Sequence, residues 1–173
     1  MRLFFAINFN NETRSRLLAL RDELKSKAES GNFSLPENLH LTLAFLGECD
    51  GGQVSAAKRV HGMAVFEPFD ITVDTIGRFK RGSRDNRHAG DLWWSGLSEC
   101  KPLIALQRDL TEKLVAEGFL LDRKKYSPHI TLGREVVTDA APWAIEPFGE
   151  TVGRLDLMKS ERIGGRLTYT AVL

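Results

Sequence analysis

Two stretches of this chain carry the same four-residue pattern, His40-Leu41-Thr42-Leu43 and His129-Ile130-Thr131-Leu132. Each sits in a segment that reads as a β-strand. Side chains alternate across a strand, so His40 shares a face with Thr42 and His129 with Thr131, the members of each pair roughly 7 Å apart. The aliphatic positions point the other way, into a core. Two imidazoles, each beside a hydroxyl, suffice for acid and base work on a phosphate ester. One neutral ring takes a proton from water while one protonated ring hands a proton to the departing oxygen. Histidine titrates near neutrality, so both states coexist at working pH. The threonine hydroxyls suit non-bridging phosphate oxygens, and Arg134, five residues past His129, can neutralise charge that builds there.

A single histidine on a strand is more often a hydrogen-bonded structural residue, and an amphipathic strand turns its polar face to water in any case. Repetition of the whole pattern, in apolar surroundings such as Leu39, Ala44, Phe45 and Leu46, favours chemistry. Zinc catalysis usually takes three protein ligands and a water, whereas the motifs supply two imidazoles and two hydroxyls. HExxH and CxxC patterns are missing, so neither a metal nor another cofactor is expected. Nucleophilic catalysis by threonine is disfavoured, since no N-terminal Thr and no Ser-His-Asp order is evident.

The 173 residues suit one two-lobed domain spanning positions 1–173, with 42% hydrophobic and 27% charged residues and a formal net charge of +1. Attraction to nucleic acid must then come from local clusters such as Arg78 to His88 and Arg123-Lys124-Lys125. Cys49 and Cys100 show no metal-ligand spacing and suit reduced thiols. The apolar run Leu3–Ile7 is too short for a secretory core, and no segment approaches membrane-spanning length. A cytoplasmic monomer is expected.

Positioning the motifs requires a scaffold, and its order repeats. Leu3 to Phe9 reads as a buried strand, followed by a helix capped at Asn10 or Asn11 with Leu17, Leu20, Leu24 and Ala28 on one face, ended by Gly31. The first motif strand, Leu39 to Leu46, comes next. After a break at Gly51-Gly52, a helical segment covers Gln53 to about Val65, and Phe69 to Ile76 alternates as a strand. The second round runs from a short strand, Asp91 to Ser95, through a helix that starts at Pro102 with Leu103, Leu106, Leu110 and Leu114 inward, to the motif strand after Pro128. Glu135 to Glu150, with Pro142 and Pro147, departs from this rhythm. Leu155 to Lys159 and Leu167 to Val172, joined through Gly164-Gly165, read as a closing hairpin. A duplicated α+β unit, two lobes pairing their motif strands near a pseudo-two-fold axis, brings both His-Thr pairs to one cleft.

These residues resemble the 2H phosphoesterase superfamily, and more closely the bacterial and archaeal RNA 2′,3′-cyclic phosphodiesterases, historically called 2′-5′ RNA ligases. The resemblance rests on Arg2 to Ile7, on Glu37 to Gly47 and Tyr126 to Arg134 around the motifs, and on Trp94 to Leu97 and Ser160-Glu161. It implies a bilobal α+β fold with antiparallel sheets facing a central cleft. It further implies hydrolysis of a terminal 2′,3′-cyclic phosphate on RNA to a 2′-phosphomonoester without a metal. By that likeness His40 is the proton donor to the leaving 3′ oxygen, His129 the proton acceptor from water, and Thr42, Thr131 and Arg134 hold the phosphate. Phe5 is a candidate to stack on the terminal base. Three alternatives remain open: a small cyclic nucleotide as substrate, RNA joining in the reverse direction, and a binding module without turnover.

Overall fold

The computed structural model describes residues 1–81, 90–122 and 124–173; Arg84, Arg87, His88 and Arg123, part of the basic clusters, lie outside the described residues. The fold is α+β, with two antiparallel sheets. Strands β1 (Arg2–Asn8), β3 (His40–Glu48), β8 (Asp156–Ile163) and β9 (Arg166–Ala171) form one, in the order β3-β1-β8-β9. The other contains β2 (Ser30–Phe33), β4 (Phe69–Phe79), β5 (Asp91–Leu97), β6 (His129–Val137) and β7 (Trp143–Val152), in the order β2-β6-β5-β4-β7. Apart from β2, the sheets match strand for strand: β3-β1-β8-β9 against β6-β5-β4-β7.

Three helices connect the strands. Helix α1 (Asn11–Ser26) starts where the Asn10 side chain accepts the Thr13 N–H at 2.8 Å, and it buries Leu17 and Leu24. Helix α2 (Gly51–Met63) includes the two glycines expected to precede it. Asp50 accepts from the Gln53 N–H at 2.8 Å while the Gln53 side chain accepts from the Asp50 N–H at 3.0 Å, a reciprocal cap that outweighs the low helix propensity of Gly51-Gly52. Helix α3 (Lys101–Ala116) buries Leu103, Leu106, Leu110 and Leu114, and Gly118 takes the positive φ of 91° that closes it. Leu17, Leu24, Leu41, Leu43, Leu103, Ile130 and Leu132 belong to one continuous core shared by both sheets and the helices.

One further expectation is corrected, and the region that departs from the rhythm takes its form. The first helix ends at Ser26 rather than at Gly31, because Ser30–Phe33 adds as an edge strand beside β6. Pairing overrides the weak strand propensity of Ser-Gly-Asn. The Glu135 to Glu150 region holds no helix; it runs into β7, an edge strand. Pro147 is tolerated there because it falls where the β4–β7 ladder shifts register, between Val73↔Phe148 and Thr75↔Ala144. The closing hairpin forms as expected, Gly164 and Gly165 supplying φ of 57° and 81° at its turn.

Candidate active site

The motif strands do not pair with each other as expected. They belong to different sheets, yet their Cα atoms approach within 8 Å. Within its sheet each motif has an equivalent partner. Asn8 and Ala6 of β1 lie opposite His40 and Thr42, while Gly96 and Trp94 of β5 lie opposite His129 and Thr131. Both motif strands also bulge at the same place. Phe5↔Ala44 and Ala6↔Thr42 leave Leu43 unpaired, just as Trp93↔Gly133 and Trp94↔Thr131 leave Leu132 unpaired. The motif is thus a duplicated local geometry as well as a duplicated sequence.

Both imidazoles are held alike. His40 Nδ1 lies 2.7 Å from the Asn38 carbonyl and His129 Nδ1 lies 2.7 Å from the Ser127 carbonyl. A carbonyl only accepts, so each Nδ1 carries the proton, and Nε2 is the nitrogen left for a reacting group. His40 Nε2 lies 2.9 Å from Thr42 Oγ1, whose hydroxyl donates to the neutral ring. Burial lowers the His40 pKa below 6.5, against the Asn38 hydrogen bond that raises it; the charges of Arg134 and His129 lower it further. The charges of Arg134 and His129 thus act on His40 from the other motif strand, which approaches β3. Arg134 is exposed, and it and Arg2 also oppose the upward shift that burial imposes on the Tyr169 phenol.

Each imidazole has an aromatic wall. Phe4 and Tyr169 stand 5.0 and 5.1 Å from the His40 ring, centroid to centroid, the tyrosine edge-on. Phe79 stands edge-on to His129 at 5.1 Å, with Trp94 beyond at 6.5 Å. Phe5 makes no part of the site. It is 0% exposed in the core on the opposite face of β1, 6.3 Å from the His61 ring, and a side chain without accessible surface cannot stack on a base. Its neighbour Phe4 faces the site instead, because alternation turns successive residues to opposite faces. Tyr169, Phe79 and the pair Phe45–Arg2 were also missed. Phe45 occupies the place in the first motif that Arg134 has in the second, is 49% exposed, and carries the Arg2 guanidinium 4.9 Å above its ring. Comparing the two motifs position by position would have found it.

Among the basic residues, Arg78 lies 3.8 Å from Asp91 and over the Trp93 ring, and Arg81 lies 3.7 Å from Glu135, so both are engaged within the protein. Among the described residues, no group of three or more His, Cys, Asp and Glu could hold a metal ion, and no helix is long and apolar enough to cross a membrane.

The Trp94 ring rests on two glycines. A Cβ on Gly77 would lie 2.6 Å from Trp94 Cζ2, and one on Gly96 would lie 2.8 Å from Cζ3. Gly77→Ala is therefore expected to push the indole toward Phe79 and His129 and to destabilise the fold by about 1–3 kcal/mol. A denaturant midpoint measured alongside Trp fluorescence checks it; an unchanged midpoint and spectrum would mean that the ring relocates freely.

An α+β fold of two matching antiparallel sheets, each carrying one His-Thr strand and the two strands approaching one another, is the architecture of a two-histidine phosphoesterase. The chain belongs to the LigT-like phosphoesterases, whose family model matches residues 7–87. Relatives named RNA 2′,3′-cyclic phosphodiesterase include one from Thermotoga maritima, 33% identical over 139 residues (78% of this chain and 70% of the relative). Another, from Escherichia coli, is 31% identical over 173 residues (98% of this chain and 92% of the relative). The solved structure of E. coli LigT complexed with 3′-AMP superposes with a TM-score of 0.82 at 29% identity, covering 99% of this chain and 95% of that one.

Proposed function

We propose that this chain hydrolyses the terminal 2′,3′-cyclic phosphate of RNA to a 2′-phosphomonoester, using His40 and His129 as its acid and base. The observation that carries the reading is the matched pair of imidazoles, each tethered through Nδ1 to a carbonyl and each beside a threonine, with Arg134 within electrostatic reach of His40. A water oxygen attacks phosphorus and loses its proton to His129 Nε2. The bond from phosphorus to the 3′ oxygen breaks, and that oxygen takes a proton from His40 Nε2, leaving a free 3′-hydroxyl. Thr42, Thr131 and Arg134 hold the non-bridging oxygens, where negative charge concentrates. Both motifs come from a single chain, which supports one bilobal domain and means that a monomer would suffice for the chemistry. The names of the relatives support the substrate, and an RNA substrate supports a cytoplasmic location.

No step in this scheme needs a metal. Incubating the protein with EDTA and an oligonucleotide ending in a 2′,3′-cyclic phosphate is expected to yield only the 2′-phosphate product. Loss of turnover on chelation would remove the two-histidine scheme, and binding without turnover at any pH would reduce the protein to a binding module. Nucleoside 2′,3′-cyclic phosphates run in parallel over a salt series separate RNA from small substrates, because contacts to a phosphate backbone weaken as salt rises.

A further inference from the structure

Strand β3 is the edge of its sheet and β2 ends at Phe33 beside β6, so carbonyls around Leu43 and Leu132 need donors from outside the ladders, and a buried carbonyl left without one costs about 1–3 kcal/mol. The donors that serve them come from the run-in to the other motif and, for Leu43, from α3. Tyr126 Oη donates to the Thr42 carbonyl at 3.0 Å, and Gln107 Nε2 of α3 donates to the Leu43 carbonyl at 3.3 Å. Reciprocally, Ser34 Oγ donates to the Thr131 carbonyl at 2.7 Å, and the Ser34 N–H donates to the Leu132 carbonyl at 2.9 Å. Tyr126 lies three residues before His129 and Ser34 six before His40, so the run-in to each motif fastens the other motif. Both fasteners are themselves fixed. The Tyr126 phenol is buried, which raises its pKa and keeps it a donor, and Arg21 of α1 donates to the Ser34 carbonyl at 2.7 Å.

We propose that Tyr126 and Ser34 are reciprocal positioning residues, whose hydroxyls, each donating to the threonine carbonyl of the other motif, set the separation of the two imidazoles across the cleft. Neither touches the reacting phosphate. They act through Thr42 and Thr131, whose side chains face the site while their carbonyls are held by the run-in to the other motif. An in-line displacement needs acid and base on opposite sides of one phosphorus, and small misplacement of such groups is costly in rate. Losing a fastener therefore lowers kcat more than it weakens substrate binding.

This inference rests on the phosphodiesterase reading, and the test separates the two. Tyr126→Phe, Ser34→Ala and Ser34→Thr are compared with Thr138→Val. The last removes the hydrogen bond that Thr138 donates to the Lys27 carbonyl at 2.6 Å and the one it accepts from the Ala140 N–H at 3.1 Å, and serves as a control for lost stability alone. Kinetics use a nucleoside 2′,3′-cyclic phosphate at a temperature where every variant is folded. Ser34→Ala keeps the backbone N–H to Leu132, so it retains one of its two ties. Tyr126→Phe and Ser34→Ala are expected to lose at least tenfold in kcat with KM within threefold, Ser34→Thr to recover to within threefold of the unaltered chain, and Thr138→Val to keep its kcat. NMR titration of the imidazoles provides a readout independent of turnover. Looser motifs separate His40 from Arg134 and His129, so its midpoint should rise toward 6.5 in Tyr126→Phe and Ser34→Ala and stay in place in Thr138→Val. Equal kcat in these two variants and the control overturns the positioning role. If the unaltered chain does not turn over, the phosphodiesterase reading fails, and the titration alone decides: an unmoved His40 midpoint then overturns the fasteners too.

Discussion

Replacing His40 or His129 by alanine is expected to lower kcat on a cyclic phosphate by about 10² to 10⁴. The effect follows from geometry shared by the two rings. Each Nδ1 is held by a carbonyl two residues earlier, at 2.7 Å in both cases, so each ring presents Nε2 for the proton transfer and alanine removes it. Thr42, 2.9 Å from His40 Nε2, is too weak an acid to replace the imidazolium. Because both transfers belong to one displacement, the double variant should fall little below the worse single one. Circular dichroism of each variant guards against a folding artefact. Activity within tenfold of the unaltered chain in either single variant would remove that histidine from the chemistry.

The second large effect is expected at Arg134. Its replacement by glutamine removes a charge-assisted partner of the phosphate and should cost about 10² in kcat/KM, in line with the roughly 1.5–3 kcal/mol that such hydrogen bonds contribute. It also tests which histidine does what. Burial first, then the charges of Arg134 and His129, lower the His40 pKa in the free protein, while the Asn38 hydrogen bond opposes them. Deleting one cation must therefore raise that pKa. If His40 is the acid, activity persists only while it is protonated, and the alkaline limb of kcat/KM moves to higher pH in Arg134→Gln. If His40 is the base, the acid limb moves to higher pH instead. Profiles in which neither limb moves would separate Arg134 from His40. The same reasoning places the alkaline limb of kcat above that of kcat/KM in the unaltered chain, because a bound anionic phosphate stabilises the imidazolium.

His40, Thr42, His129 and Thr131 were legible in the sequence because strand alternation is strictly periodic and the motif occurs twice. The same periodicity failed at Phe5. In a run of five apolar residues, Leu3 to Ile7, nothing in the side chains marks the face that meets the core, and only packing turned Phe4 toward His40. The bulges at Leu43 and Leu132 could not be read either, because a bulge is defined by the register of a partner strand. Strand β2 was hidden for a related reason: Ser30-Gly31-Asn32 gains its extended form from β6 rather than from its own composition. The helix start at Gly51 was legible in principle, since Asp50 and Gln53 stand at the spacing of a reciprocal cap.

One strand arrangement bears on how the protein is made. In the sheet that carries His40, β1 pairs with β8 from Arg2↔Ser160 to Ala6↔Asp156, and Tyr169 of β9 completes the wall beside the imidazole. The chain as far as β9 must therefore leave the ribosome before this sheet closes. Until then β1 has a bare hydrogen-bonding edge and an apolar run open to other nascent chains. Contacts so distant in sequence slow folding, because chain entropy is lost before the pairing energy is gained. The half carrying His129 has all its strands synthesised first and is the natural template on which the other closes.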